Sequence, residues 1–142
     1  MTIKEMTVRE IAEKFIHAEN TAWLEGNIDA LDSIDAPDVV YHLMPPAADV
    51  VGRDMHKQLI ASERKAFSNI KLEWKYLTGE GNIFVVFYNQ RMMFTGQASH
   101  RQPPTGKRAT RSEMCVCRLN KGKIAEAWFA GSSTGINETF CI

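Results

Sequence analysis

Residues 108–129 constrain the fold most, because their pattern predicts a long β-hairpin. Side chains alternate between two sides over residues 108–120 and again over 123–129. The intervening Asn120-Lys121-Gly122 provides a glycine for the positive φ that a tight hairpin turn needs. A hairpin of this length is not stable alone in water, so the rest of the chain must cover it.

Composition limits the classes of protein to consider. The 142 residues predict a single domain spanning 1–142. Seventeen basic and seventeen acidic residues give a net charge of zero, which disfavours nucleic acid and anionic membranes as partners. The sequence has no apolar run near the ~20 residues of a membrane helix, and the N-terminus lacks the apolar region of a signal peptide.

The three cysteines indicate a reducing compartment. Cys115 and Cys117 are two residues apart on one predicted strand, so they point the same way at about 7 Å, too far for an unstrained disulfide. A metal site would need His or carboxylate partners at ligand spacing, and none lie directly beside Cys115 and Cys117. Free thiols predict a cytoplasmic location.

The first helix carries an unusual carboxylate. Thr7 and Glu10 form a capping-box pattern, and Gly26 is placed to end the helix. Glu19 lies in the middle of the apolar stripe, one turn from both Phe15 and Trp23. Such a carboxylate is paired with a basic residue as a structural element, lies at the rim of the apolar region, or faces a cavity with a raised pKa.

The order of predicted elements indicates an α+β fold. Helices are predicted over residues 7–26, 28–34 and 52–67, and strands over 39–44, 71–78, 83–94, 108–120 and 123–129. This order, three N-terminal helices interrupted by one short strand and followed by four long antiparallel strands, predicts helices packed on a curved sheet.

Two strands place polar side chains beside apolar ones. On strand 39–44, His42 lies on the opposite side from Tyr41. On strand 83–94 both faces are largely apolar, with Tyr88 and Gln90 on one and Arg91 on the other. The second apolar face predicts a homodimer formed through the sheet, unless the sheet curls enough to bury both faces.

Several ordered motifs resemble a known family. They are Ala22–Leu31 (AWLEGNIDAL), Ala36–His42 (APDVVYH), Gly52–Asp54 (GRD), Pro103–Lys107 (PPTGK) and Gly122–Trp128 (GKIAEAW). Together the motifs resemble the SnoaL-like polyketide cyclases and related ester cyclases, within the superfamily of nuclear transport factor 2 and ketosteroid isomerase. The resemblance implies a cone-shaped fold with a pocket between three helices and a mostly antiparallel sheet.

The resemblance also implies a chemistry. Family members bind small apolar, often carbonyl-bearing molecules and catalyse cyclase, isomerase or lyase reactions by moving a proton beside a carbonyl, without a metal or organic cofactor. The chain departs from the usual acid/base residues. No carboxylate closely follows Trp128, Phe94 stands where a histidine is common, and Cys115 or Met114 stands where ketosteroid isomerase has an acidic donor.

The candidate residues follow from this combination. The catalytic candidates are Glu19 and His42, either as the base. The ligand-binding candidates, which hold a carbonyl oxygen or line the pocket, are Phe15, Trp23, Tyr41, Tyr88, Gln90, Arg91, Met114 and Trp128. The alternative is a non-catalytic ligand-binding or dimerisation domain, since the usual acid/base set is not intact.

Overall fold

The fold has two α-helices, a short 3₁₀ helix and one sheet within the described residues. The computed structural model describes residues 6–44, 47–99 and 102–136. The helices are α1 (Val8–Glu25), a 3₁₀ helix (Ile28–Ser33) and α2 (Arg53–Ala66), and the strands are β1 (Asp35–His42), β2 (Val50–Val51), β3 (Phe67–Glu80), β4 (Ile83–Phe94), β5 (Arg108–Asn120) and β6 (Lys123–Thr134).

The six strands form one curved, unclosed sheet in the order β2-β1-β6-β5-β4-β3. Strands β3 to β6 pair antiparallel with their neighbours in sequence, while β1 runs parallel to β6. The predicted α+β fold, three helices on a mostly antiparallel sheet, is confirmed.

Local sequence signals account for α1. Thr7 Oγ1 accepts the backbone N–H of Glu10, and the Glu10 carboxylate accepts the backbone N–H of Thr7, so the predicted capping box is confirmed. Gly26 ends the helix with a φ of 79°, a left-handed conformation that favours glycine.

The predicted hairpin is also confirmed. Asn120 pairs with Lys123, so Lys121 and Gly122 form a two-residue turn. Their φ angles of 52° and 76° are both positive, as in the turns that match the twist of paired strands.

The main core lies between α1 and one face of the sheet. On β4 and β5 alternate side chains are buried, as the period of two requires. Phe15 of α1 packs against Phe84 with ring centroids 5.7 Å apart. Cys115 and Cys117 are buried and free in this core, with their sulfurs 3.4 Å apart. Cys141 lies outside the described residues.

The inward face of helix α2 was predicted only in part. The apolar pattern of this segment predicts an inner side made of Met55, Leu59, Ser62, Ala66 and Phe67. Ala66 and Phe67 are buried and Leu59 packs against the core, but Met55 is 48% exposed. The other buried residues of the helix are His56, Ile60 and Glu63, and an apolar pattern does not identify a histidine and a glutamate that point inward.

The described helices include none with the length and apolarity needed to cross a bilayer.

Candidate functional site

A cavity of about 860 Å³ lies between the helices and the concave face of the sheet. Aromatic rings make much of its wall. Trp74 packs edge-on against Phe15, with centroids 5.5 Å apart, and lies 4.9 Å from the ring of Tyr88. A cavity of this volume accepts an apolar molecule of several rings.

Glu19 lies in this wall and is 4% exposed. Helix α1 carries Trp23 one turn further along, and the Trp23 Nε1–H donates to Glu19 Oε2 at 3.0 Å. The other oxygen, Oε1, is 3.5 Å from His56 Nε2 on α2. That distance is longer than an ordinary hydrogen bond. The His56 ring therefore lies close to the carboxylate without forming a normal hydrogen bond to it.

Asp35 and Tyr41 orient His56. Asp35, at the start of β1, is fully buried, and its Oδ2 is 2.7 Å from His56 Nδ1. Its Oδ1 accepts the Tyr41 hydroxyl at 2.5 Å. A carboxylate accepting from Nδ1–H fixes the ring orientation, and Nε2 is thereby turned towards Glu19.

The protonation of this cluster is set mainly by burial. Burial raises the pKa of Glu19 to about 7, because the charged form loses its hydration, and the positive charge of His56 only partly reverses this. Burial alone would lower the pKa of His56, but the Glu19 and Asp35 carboxylates outweigh it, so that pKa is raised overall. Glu19 thus has a pKa close to neutral pH, and it lies beside a histidine whose pKa the two carboxylates raise.

A second polar cluster lies elsewhere on the same wall. Arg111 of β5 donates through Nη1 to Gln90 Oε1 at 2.7 Å and through Nη2 to Glu63 Oε2 at 3.3 Å. Glu113, also on β5, accepts the Tyr88 hydroxyl. All five side chains line the cavity and are at most 9% exposed.

Six of the ten residues predicted from the sequence line the cavity: Phe15, Glu19, Trp23, Tyr41, Tyr88 and Gln90. The other four, His42, Arg91, Met114 and Trp128, lie on the outer face of the sheet. The period of two explains the division, because adjacent residues of a strand point to opposite faces. Tyr41 and Gln90 point inward, so His42 and Arg91 point outward.

The outer-face residues have their own partners. His42 Nε2 is 2.6 Å from Glu126 Oε2, and its ring stacks on Trp128. Arg91 pairs with the exposed Glu73 at 2.7 Å. His42 and Arg91 therefore do not line the cavity and have partners on the outer face instead.

The sequence analysis missed several polar residues of the cavity. Some of them have a sequence pattern that could have placed them there, and one does not. Arg111 and Glu113 alternate in phase with the buried Cys115, so the strand period could have placed them inward. His56 and Glu63 are seven residues apart on α2, a helical spacing that marks one face. Asp35 stands two residues before Pro37, outside the predicted strand 39–44, and no helical or strand period places it in the cavity.

Metal binding finds no support in the described ranges, where no group of three or more His, Cys, Asp or Glu side chains is arranged to hold an ion. The polar groups of the wall instead contact one another directly.

Comparisons with known proteins agree with this architecture. No curated protein matches the chain. Among solved structures, TsrD from Streptomyces laurentii has a TM-score of 0.76 at 18% identity, covering 90% of this chain and 92% of its own. IdmH from Streptomyces antibioticus has a TM-score of 0.70 at 19% identity, covering 87% and 92%.

A third structure is a protein with a ketosteroid isomerase-like fold from Catenulispora acidiphila, solved with trimethylamine. Its TM-score is 0.65 at 18% identity, and the match covers 87% of this chain and 86% of that one. At these identities the likeness concerns the fold. The model of the SnoaL-like polyketide cyclase family matches residues 13–135, and the chain therefore belongs to the SnoaL-like polyketide cyclase family.

Proposed function

We propose that this protein binds a small apolar molecule bearing a carbonyl group and catalyses proton transfer at the carbon beside that carbonyl, with Glu19 as the base. The observation that carries the proposal is the state of Glu19, a buried carboxylate in a cavity wall whose pKa is raised to about 7. A base is most effective when its pKa lies near the working pH.

The proposed step moves one proton to Glu19 and transfers one negative charge from its carboxylate to the ligand. A Glu19 oxygen takes the proton from the carbon beside the carbonyl. The electron pair of that C–H bond becomes the carbon–carbon π bond of an enolate, and the carbonyl π pair moves onto oxygen. Return of the proton from Glu19 to a different carbon of the extended enolate completes an isomerase reaction. Attack of the enolate carbon on a second carbonyl forms a carbon–carbon bond and breaks that carbonyl's π bond, and its oxygen takes the proton back from Glu19, which completes a cyclase reaction.

His56 supports the developing charge. Its Nε2 lies beside the base, and Asp35 holds the other ring nitrogen, so an enolate oxygen entering near Glu19 meets a positioned donor when the ring is protonated. Donors fixed before the reaction stabilise the charge without reorganising. In this proposal Glu19 takes the proton and His56 stabilises the negative charge on oxygen, so the step requires neither a metal nor an organic cofactor.

The alternative proposal is a ligand-binding protein that does not catalyse. One observation favours it: both oxygens of Glu19 already face donors, Trp23 Nε1 and His56 Nε2. A paired carboxylate of this kind can serve structure alone.

The experiment measures deuterium exchange into simple ketones. 2-Tetralone or 4-acetylbiphenyl is incubated with the protein in D2O, and loss of the proton signal beside the carbonyl is followed by NMR. We expect exchange faster than in buffer, and Glu19→Gln to reduce the enzymatic rate about 10²–10⁴-fold. The wild-type rate should rise with pH through about 7 as Glu19 loses its proton.

Glu126→Gln is the matched control, because Glu126 also contacts a histidine but lies on the outer face. Its exchange rate should equal that of the wild type. Saturable binding of 4-acetylbiphenyl with exchange only at the buffer rate would contradict catalysis and support the binding protein.

We further propose that the outer face of the sheet is covered by a second copy of the chain. Met114 and Trp128 are 45% and 40% exposed on this face. They pair across strands with Phe87 and Val116, which makes a continuous apolar band. Sedimentation at micromolar concentration should show a dimer that Trp128→Glu dissociates, and a wild-type monomer would contradict it.

A cytoplasmic location remains a proposal based on the thiols. Cys115 and Cys117 are free and buried, as is usual in reducing compartments.

A further inference from the structure

We infer that Trp23 is a positioning residue for the proposed proton transfer, because its indole N–H holds one oxygen of the Glu19 carboxylate and leaves the other oxygen to take the proton. This inference rests on the proposed function, in which Glu19 is the base. It goes further by giving the two oxygens of Glu19 different roles and by naming the side chain that distinguishes them.

The two oxygens of Glu19 have unequal surroundings. Trp23 follows Glu19 by four residues on α1, so the two side chains share one face of the helix. The Trp23 Nε1–H donates to Oε2 at 3.0 Å, an ordinary hydrogen-bond length. Oε1 lies 3.5 Å from His56 Nε2, beyond that range. Oε2 therefore already accepts a hydrogen bond, and Oε1 is the oxygen left to receive a proton.

The indole N–H acts only as a donor. It cannot remove the Glu19 proton, and it bonds more strongly to the ionised carboxylate than to the neutral carboxyl group. Trp23 therefore favours the form of Glu19 that accepts a proton. Burial opposes this by raising the Glu19 pKa to about 7, and the Trp23 hydrogen bond is one of the contacts that lower it.

Several titratable groups also act on Glu19, and they come from three other elements. His56 of α2 lowers the Glu19 pKa and Asp35 of β1 raises it. Burial raises the pKa values of Tyr41 on β1 and Cys115 on β5 well above their ordinary ranges, so both are uncharged near neutral pH. A substitution of the tryptophan leaves all of these side chains in place, so a shift in the Glu19 pKa would report the loss of the indole N–H.

The surroundings of Trp23 fix its ring. The ring packs against a buried cluster that includes Leu31 of the 3₁₀ helix and Ile60 of α2. It is thus held between neighbouring helical segments before a ligand binds. The donor therefore does not have to be oriented during the reaction.

The test removes the indole N–H and keeps an aromatic ring in its place. Trp23→Phe is the variant. Trp74→Phe is the matched control, because Trp74 also lines the cavity and also donates through Nε1 to a side chain of α1, Asn20 Oδ1 at 2.8 Å. The Glu19 pKa is measured by carbon NMR of protein labelled at the glutamate carboxyl carbon, with Glu19→Gln identifying the signal. Deuterium exchange of 2-tetralone is measured over the same pH range.

In Trp23→Phe we expect the Glu19 pKa to rise by about one unit, because the carboxylate loses a charge-assisted hydrogen bond. Exchange at pH 7 should fall about fivefold, since less of Glu19 is then ionised. The rate should return to the wild-type value about two pH units above the wild-type midpoint, where Glu19 is ionised in both proteins. Trp74→Phe should keep the wild-type pKa of Glu19 and the wild-type midpoint of the pH profile.

Three results would overturn the role of Trp23: an unchanged Glu19 pKa in Trp23→Phe, an equal shift in Trp74→Phe, or a loss of exchange that is the same at every pH. The last is the result expected of a purely structural contact. Wild-type exchange at only the buffer rate would overturn Glu19 as the base instead. The carboxyl titration needs no turnover, so it still decides whether Trp23 stabilises the carboxylate.

Discussion

Two carboxylate–histidine pairs, Glu19–His56 and Glu126–His42, lie in contrasting surroundings. The cavity pair has side chains 6% and 8% exposed, with the nearest oxygen and nitrogen 3.5 Å apart. The outer pair has side chains 28% and 29% exposed and a separation of 2.6 Å. The pKa of Glu126 is lowered, chiefly by its hydrogen bond to His42, whereas burial raises the pKa of Glu19 to about 7.

The contrast shows that burial, rather than the identity of the partner, determines which carboxylate can act as a base near neutral pH. Water stabilises the charged form of Glu126, and the hydrogen bond from His42 stabilises that charged form further. Glu19 has lost that hydration, and its histidine compensates only in part. The outer face of the sheet thus carries an ordinary surface ion pair, Glu126–His42, whereas the cavity face carries Glu19, whose pKa is about 7.

The largest expected difference concerns the two histidines. His56→Asn should reduce ketone exchange about 10²–10³-fold, because it removes the imidazole that is proposed to stabilise the enolate beside Glu19. His42→Asn should leave the rate within about twofold, since neither His42 nor Glu126 lines the cavity. Deuterium exchange of 2-tetralone measures both. An equal loss in the two variants would remove the functional distinction between the pairs.

The second prediction concerns stability and pH. The folded-state pKa of Glu19 is about 7 against an ordinary value of 4.5, so its stabilising contribution is present at low pH and is lost as the pH rises between these values. Relative to Glu19→Gln, the wild type should lose about 2 kcal/mol of unfolding free energy between roughly pH 5 and pH 6.5.

Urea denaturation at the two pH values provides the measurement. Glu126→Gln is the control, because the pKa of Glu126 is lowered and its contribution would be lost only as the pH falls below the ordinary range. Parallel pH profiles for the wild type and Glu19→Gln would show that burial does not control this carboxyl group.

The third prediction concerns the support beneath the cavity pair. Tyr41→Phe should lower the unfolding free energy by about 1–2 kcal/mol, because the fully buried Asp35 loses a donor. Tyr76→Phe is the matched control, since Tyr76 is half-buried beneath Arg9, and it should cost less. Thermal unfolding of both variants tests the difference, and equal losses would indicate that the Asp35 contact is not special.

The smallest effect is expected on the outer face. Glu126→Gln should leave Tm unchanged within error at physiological salt and lower it slightly at low salt, as for exposed ion pairs. Calorimetry at two ionic strengths measures this. A large, salt-independent loss would mean that the outer pair is as important to the fold as the cavity pair.

Much of the fold could be predicted because its signals are local. The capping box at Thr7, the left-handed Gly26 and the turn at Lys121-Gly122 each depend on a few neighbouring residues. Strand alternation also identified Tyr88 and Gln90 as lying on the same face. Helix α2 was harder, because its inward face carries His56 and Glu63 where periodicity leads one to look for apolar residues.

The candidate site was predicted only in part because it depends on contacts between distant segments. Glu19 was identifiable as a carboxylate in an apolar stripe. Its partner His56 is 37 residues away by sequence number, and the Asp35 that orients His56 lies on a third element. His42 was an equal candidate until the fold placed Tyr41 inward.

The α+β order of elements, the capped helix, the tight hairpin and the carboxylate in an apolar helix face could all be predicted from the amino-acid sequence. These follow from backbone geometry and short-range periodicity, which a few adjacent residues specify. Packing between distant segments fixes which strand faces line the cavity and brings His56 and Asp35 to Glu19, and it leaves Gln90 Nε2 without a hydrogen-bond partner among the described residues. Such features depend on burial and on packing between residues far apart in the chain, and these set both the pKa of Glu19 and the availability of each donor.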